Sequence, residues 1–169
     1  MSEELIIFNK FDHDLEKLWT NFDSKKENPF LNYSINKIWY EIFGIGTELK
    51  IITDKINFIA PMVIKENSAY FCGGKDLFDY HNLIYKDAIR IESIKSIFNQ
   101  LFLKENVNKI ELNSIVEESQ LHNILLNFQN EYDFEFIDED VSPMINLPES
   151  FDGYLSNLSK KNRHEIRRK

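Results

Sequence analysis

The sequence predicts an α/β fold in which a mixed sheet carries helices on both faces. Three observations predict it. Hydrophobic periodicity switches repeatedly between strand-like and helix-like runs, giving the order β-α-α-β-β-β-α-β-α-β-β and then a further helix. Two helices follow the first strand before any second strand appears. Three strands joined by tight polar turns then form a meander in the middle of the chain.

Each element has a local cause. Leu5-Ile6-Ile7-Phe8 is a short apolar run fit for a strand, and Asp12 is placed to cap a helix bearing Leu15, Leu18, Trp19 and Phe22 on one face. Asn28-Pro29 opens a second helix, an N-cap followed by proline where its missing N–H costs nothing. Leu31, Ile35, Ile38, Trp39 and Ile42 follow at helical spacing until Gly44 stops it. Strands Glu48 to Thr53 and Ile56 to Ile64 flank a turn at Asp54-Lys55, and a second turn near Glu66-Asn67 leads into Tyr70-Phe71-Cys72.

After Gly73-Gly74 comes an irregular polar stretch, Lys75 to His81, and a short apolar return at Asn82-Leu83-Ile84. The clearest helix runs from Asp87 to about Lys104, with Ile91, Ile94, Phe98 and Leu101 on one face. Lys109 to Leu112 is a predicted strand, and Leu121, Ile124, Leu125 and Phe128 mark another helix. The alternation Tyr132, Phe134, Phe136 predicts a strand with acidic partners outward, and Ser142 to Leu147 a final one ended by Pro148. Ser150 to Leu158 is a short helix with Phe151, Tyr154, Leu155 and Leu158 inward. Ser159 then caps a basic helix.

Composition narrows the class. A chain of 169 residues, 43% hydrophobic and 14% aromatic, buries roughly 70% of its unfolded surface and needs no staples. Its single cysteine, Cys72, sits in an apolar run and is expected to be a buried, inert thiol. No apolar stretch approaches the roughly 18 residues of a membrane span, and the acidic start Met1-Ser2-Glu3-Glu4 is unlike a signal peptide, so a cytoplasmic location is expected. Residues 160 to 169 carry a net charge of +5 within a total of -8, leaving -13 on residues 1 to 159. Such a body repels nucleic acid and anionic lipid, and the tail lacks aromatic interleaving, so nucleic acid is not an expected partner.

Three segments carry a family resemblance: Gly73 to Asn82, with its Gly-Gly to Asp-Tyr spacing; Ile145-Asn146-Leu147-Pro148; and, most specifically, Tyr154 to Arg168. They resemble the first half of the FemAB-like, cellulose-biosynthesis-type GNAT acetyltransferases, and the element order is also that of the GNAT fold. The resemblance implies a GNAT-like domain over 1–148 and a basic helical extension over 149–169, leading into a second GNAT domain that the chain is expected to lack. Acyl-CoA, acetyl-CoA in the family, and the transfer chemistry are implied for that second domain. This half would recognise the acceptor, a small amine such as an amino sugar, with the second domain supplied in cis or by a companion chain.

Acyl-CoA is not expected to bind the chain itself. A phosphate-binding loop exposes bare N–H groups at a helix N-terminus. The corresponding Ile84-Tyr85-Lys86-Asp87-Ala88-Ile89 has no glycine, a bulky Tyr85, and Asp87 placed to cap the helix with its own carboxylate.

Asp79, Tyr80 and His81 offer a carboxylate, a phenol and an imidazole for orienting an amine or taking its proton. The bland alternative is a turn cap, a packed ring and a solvated imidazole. Lys160, Lys161, Arg163, Arg167 and Arg168 are candidates for an anion or an interdomain surface, against a solvated helix leaning on the acidic stretch Glu131 to Asp140. Asp12-His13-Asp14 and Asp138-Glu139-Asp140 lack metal-ligand spacing, and no metal is expected. His122 is expected to be structural, and Trp19 and Trp39 to anchor the core or a domain interface. No catalytic residue carries over by motif. Two rivals remain: a non-enzymatic interaction module using the basic tail, and a split enzyme.

Overall fold

The computed structural model describes residues 5–22 and 28–168. The acidic start at 1–4 and Lys169 of the basic tail lie outside the described residues. The chain forms two compact units, Met1–Glu135 and Phe136–Lys169.

The first unit is mixed α/β. Strand β1 (Ile6–Phe8) leads to helix α1 (His13–Phe22), a 3-10 turn (Pro29–Leu31) and helix α2 (Tyr33–Phe43). Strands β2 (Glu48–Thr53), β3 (Phe58–Lys65) and β4 (Ser68–Phe71) then make the antiparallel meander. A short β5 (Ile84–Tyr85) precedes helix α3 (Ile91–Lys104), strand β6 (Lys109–Glu111) and helix α4 (Gln120–Leu126). The sheet order is β1-β2-β3-β4-β6, antiparallel except for the parallel β4–β6 pair.

Alternation along the strands builds two cores. Ile52, Ala60, Met62, Ile64, Ala69 and Phe71 face one side of the sheet, in a cluster with Ile94, Ile97, Phe98 and Leu101 of α3 and Leu121 and Leu125 of α4. Leu49, Ile51, Ile59 and Val63 face the other, in a cluster with Leu15, Trp19 and Phe22 of α1 and Tyr33 of α2. Helices therefore cover both faces, as the period switching predicts.

Local chemistry fixes the joints. The Asp12 carboxylate accepts from Leu15 N–H at 3.0 Å and starts α1. Asn28 caps only the 3-10 turn, accepting from Phe30 N–H at 3.0 Å; α2 starts afresh on Asn32, which accepts from Ser34 and Ile35 N–H. The single helix expected from Asn28 is thus two elements. Asp54 closes the β2–β3 turn with one oxygen accepting from the N–H groups of Ile56, Asn57 and Phe58 at 2.9, 2.7 and 3.2 Å.

Pro61 explains why one edge of β3 has two partners. Met62–Lys65 pair with β4 and Phe58–Ile59 with β5. The Pro61 carbonyl accepts from Cys72 N–H on the β4 side, so the donor its ring removes would have served the same edge. The ladder breaks there, and residues 73–83 leave the sheet as a loop between β4 and β5.

Two expected strands do not form. Residues 133–148 hold no regular element. The Tyr132 ring stacks on Phe102 and meets Phe98 and Phe128 edge-on, with centroids 5.4–6.1 Å apart, and Phe134 packs on the same core. The alternation therefore records burial, but a strand also needs a hydrogen-bonded neighbour, which alternation does not supply.

In the second unit, Ser150 caps α5 (Phe151–Asn157), accepting from Gly153 N–H at 3.1 Å, and Ser159 caps α6 (Lys160–Arg168), accepting from Asn162 N–H at 3.3 Å. Leu155 is buried, but Phe151, expected inward, is 65% exposed. Among the described residues no helix is long and apolar enough to cross a membrane.

Candidate functional site

The loop released at Pro61 is held by its own aromatic packing. Gly73 and Gly74 turn the chain with φ of +114° and +61°, after which Phe78 folds inward and is buried. Phe30 of the 3-10 turn lies 5.0 Å from Phe78 and 6.4 Å from Tyr80, centroid to centroid. The Asn28 side chain donates to the Tyr80 carbonyl at 3.2 Å. Trp39 of α2 reaches the loop at Gly74, where an added Cβ would sit 3.5 Å from its ring.

Asn36 holds the other side of this wall. Its side chain is buried, and its NH₂ donates to the carbonyls of Phe30 at 2.7 Å and Asn32 at 2.9 Å. Trp19 Nε1 donates to the Leu31 carbonyl at 2.8 Å. The 3-10 turn is therefore anchored from α1 and α2 together, and its Phe30 ring is fixed beside the loop. The sequence marks Asn28 as a cap; its second duty, on a carbonyl 52 residues away, leaves no local signal.

The three candidate residues do not point to one place. Asp79 and Tyr80 face solvent. His81 is 5% exposed, and its ring stacks between Phe71 and Phe78 at 5.6 Å from each. The solvated imidazole of the bland alternative is thus overturned: the ring fills core space beside Gly73. Its Nδ1 lies 3.1 Å from the Asn113 carbonyl; a carbonyl only accepts, so Nδ1 carries the proton. Its backbone N–H donates to the Ser114 carbonyl at 3.0 Å, and a parallel bridge joins it to Ile115. What reaches the surface here is the exposed Tyr80, with the half-buried Phe30 ring 6.4 Å from it, and the exposed side chain of Asp79, the residue before Tyr80 in the loop.

The start of α3 differs from the expectation. The helix begins at Ile91 behind Arg90, whose side chain makes no cap, and Asp87 lies upstream of it. Asp87 therefore does not close the helix end. The preceding backbone is occupied instead: β5 pairs with β3, and Ile89 N–H donates to the Gln120 side chain at 3.1 Å. A cavity of about 110 Å³ here is lined by Ile56, Asn57, Lys86, Asp87, Ala88 and Arg90. It mixes charges of both signs, and no glycine lies between Ile84 and Ile91.

Helix α6 gathers its cations. At 100° per residue, Lys160, Lys161, Arg163, Arg167 and Arg168 fall on one half of the helix, with Asn162 and Ile166 opposite. All five are exposed except Arg163, which is half-buried.

The remaining candidates are structural. Cys72 is buried, and burial pushes its thiol far up. His122 Nδ1 accepts from Glu118 N–H at 3.3 Å, at the start of its own helix. Trp19 is fully buried. Among the described residues, no three His, Cys, Asp or Glu side chains gather as a metal site.

The chain matches no protein-family model, no curated protein and no solved structure.

Proposed function

We propose that this chain is the acceptor-recognising half of a GNAT-type, FemAB-like N-acyltransferase, working with a second GNAT domain that binds acyl-CoA and carries the transfer. The observation that carries the proposal is the connectivity of the first unit: paired helices after β1, the three-strand meander, and the α3 crossover into a parallel β6. These follow the earlier part of the element order of the fold the sequence resembles; a short β5 is inserted before α3, and the two closing strands of that order are not formed. The exposed Tyr80 and Asp79 and the half-buried Phe30 suit a small amine acceptor, with ring faces for its carbon skeleton and a carboxylate for its ammonium. The basic face of α6 suits the second domain or an anionic part of the donor.

The test begins with the native protein captured from its source cells by an antibody to this chain. Its mass and co-purifying chains are measured, and then acetyl transfer from acetyl-CoA to amino sugars and other small amines. Expected are a second GNAT domain, in the same polypeptide or a companion, and transfer that falls about tenfold for Asp79→Asn as the ammonium contact is lost. Capture without a second domain and without transfer would overturn the proposal. It would leave an interaction module, the reading that the exposed basic face of α6 also supports.

A further inference from the structure

The second unit, Phe136–Lys169, presents two features that its fold does not use. One is the cation face of α6. Lys160, Lys161, Arg163, Arg167 and Arg168 span an arc of about 160° at 100° per residue, and among the described residues none of them is ion-paired. The other is the uncharged run Val141 to Pro148, whose Val141, Met144, Ile145 and Leu147 are 90%, 92%, 70% and 78% exposed. Phe151 of α5 is exposed as well. Only α5, seven residues and so about 10 Å long, stands between the run and α6 in the chain.

Together the two features select a partner. Nucleic acid would engage the cations but leave the apolar run in water. A protein groove fits a fixed shape, and residues 136–148 have no regular structure. An anionic bilayer offers phosphate above hydrocarbon and demands no fixed shape, so it takes both features at once. The charge of -8 does not forbid the approach. It lies on residues 1–135, since residues 136–169 hold six acids and six bases, and it is screened beyond about 8 Å at physiological ionic strength. Asp138, Glu139 and Asp140 stand just ahead of the run and oppose contact, which limits the affinity; within α6 the cations meet only Glu165.

We propose that the second unit attaches the protein peripherally to anionic lipid bilayers, with α6 lying on the phosphates and Val141, Met144, Ile145 and Leu147 entering the interface. Each lysine or arginine near an anionic surface strengthens partitioning about fivefold, so five cations with a short apolar run give reversible attachment. The proposal does not rest on the acyltransferase reading.

Co-sedimentation of the full chain with vesicles tests it, phosphatidylcholine alone against phosphatidylcholine with about 30% phosphatidylglycerol, at low and at physiological salt. Expected is binding to the anionic vesicles that weakens as salt rises and is at least about tenfold weaker on phosphatidylcholine alone. Lys160→Gln with Arg167→Gln weakens it about thirtyfold. Met144→Asp with Leu147→Asp weakens it too, and both pairs leave circular dichroism unchanged because all four side chains are exposed. In Leu147→Trp, which keeps every charge, the emission shifts to the blue on anionic vesicles; this variant decides the matter if the others do not fold. No binding to anionic vesicles at low salt, equal binding to both vesicle types, or binding untouched by the α6 changes would each overturn the proposal. So would capture of an RNA oligonucleotide by a chain whose Leu147→Trp emission is indifferent to vesicles.

Discussion

At the residue scale, Gly73 is the position on which the candidate loop depends. Its φ of +114° belongs to glycine, and a Cβ there would strike the Phe78 ring and stand 2.7 Å from His81 Nε2. Gly46 has a φ of +80° with nothing within 4 Å, which isolates backbone strain from collision. Gly46→Ala is therefore expected to cost about 1 kcal/mol and Gly73→Ala about 3 kcal/mol or more, because Phe78 and His81 must also move. Chemical denaturation of the two variants checks this; equal costs would mean that the Phe78–His81 packing is soft. The Gly-Gly step made the loop itself legible in sequence. Which way its side chains turn was not, because Phe78 and His81 take their places from Phe71, Phe30 and Asn113, partners remote in the chain.

At the element scale, two carboxylates tie strands and helices together. Lys50 of β2 donates to Glu105, at the end of α3, across 2.7 Å with both side chains mostly buried; Asp54 closes the β2–β3 turn. Burial alone would raise both acids. The hydrogen bonds outweigh it: those from Lys50 and Gln100 hold Glu105 below its ordinary 4.5, and those from Asn57, Ile56 and Phe58 hold Asp54 below its ordinary 3.8. A depressed acid contributes stability that is complete above its unfolded value and is lost as pH falls through its lower folded value. The melting temperature is therefore expected to decline below about pH 4.5. Glu105→Gln should cost about 2 kcal/mol at neutral pH and then lose less than wild type on acidification. Parallel melting curves of variant and wild type would refute this attribution. The turn chemistry behind Asp54 is local, and β2 falls where the pattern set it, at Glu48–Thr53. The start of α3 and the runs at 132–147 were misread for one reason: capping and pairing are decided by neighbours that a window of sequence does not contain.

At the scale of the whole molecule, net charge and core fall in the same part of the chain. Residues 136–169 hold six acids and six bases and are neutral together, so the full net charge of -8 belongs to residues 1–135. Both buried clusters, and the partly buried side chains packed on them, come from residues 5–134. The second unit begins in a stretch, 136–148, without regular structure and with Ile137, Val141, Met144, Ile145 and Leu147 at the surface. Limited proteolysis is therefore expected to cut within 136–149, where an extended backbone can enter a protease, and to leave a resistant fragment ending near Glu135. That fragment, expressed alone, should keep the mixed sheet and melt within about 5 °C of the full chain, since about 1 kcal/mol shifts a domain of this size by a few degrees. It should also focus at a lower pH than the whole chain, because its 14 bases against 22 acids are a smaller ratio than the 20 against 28 of the whole chain. A fragment that unfolds or aggregates would mean that residues 136–169 hold the first unit together. A fragment that folds would show the first unit to be an autonomous scaffold, on which the loop at 73–83 can be varied without rebuilding the fold.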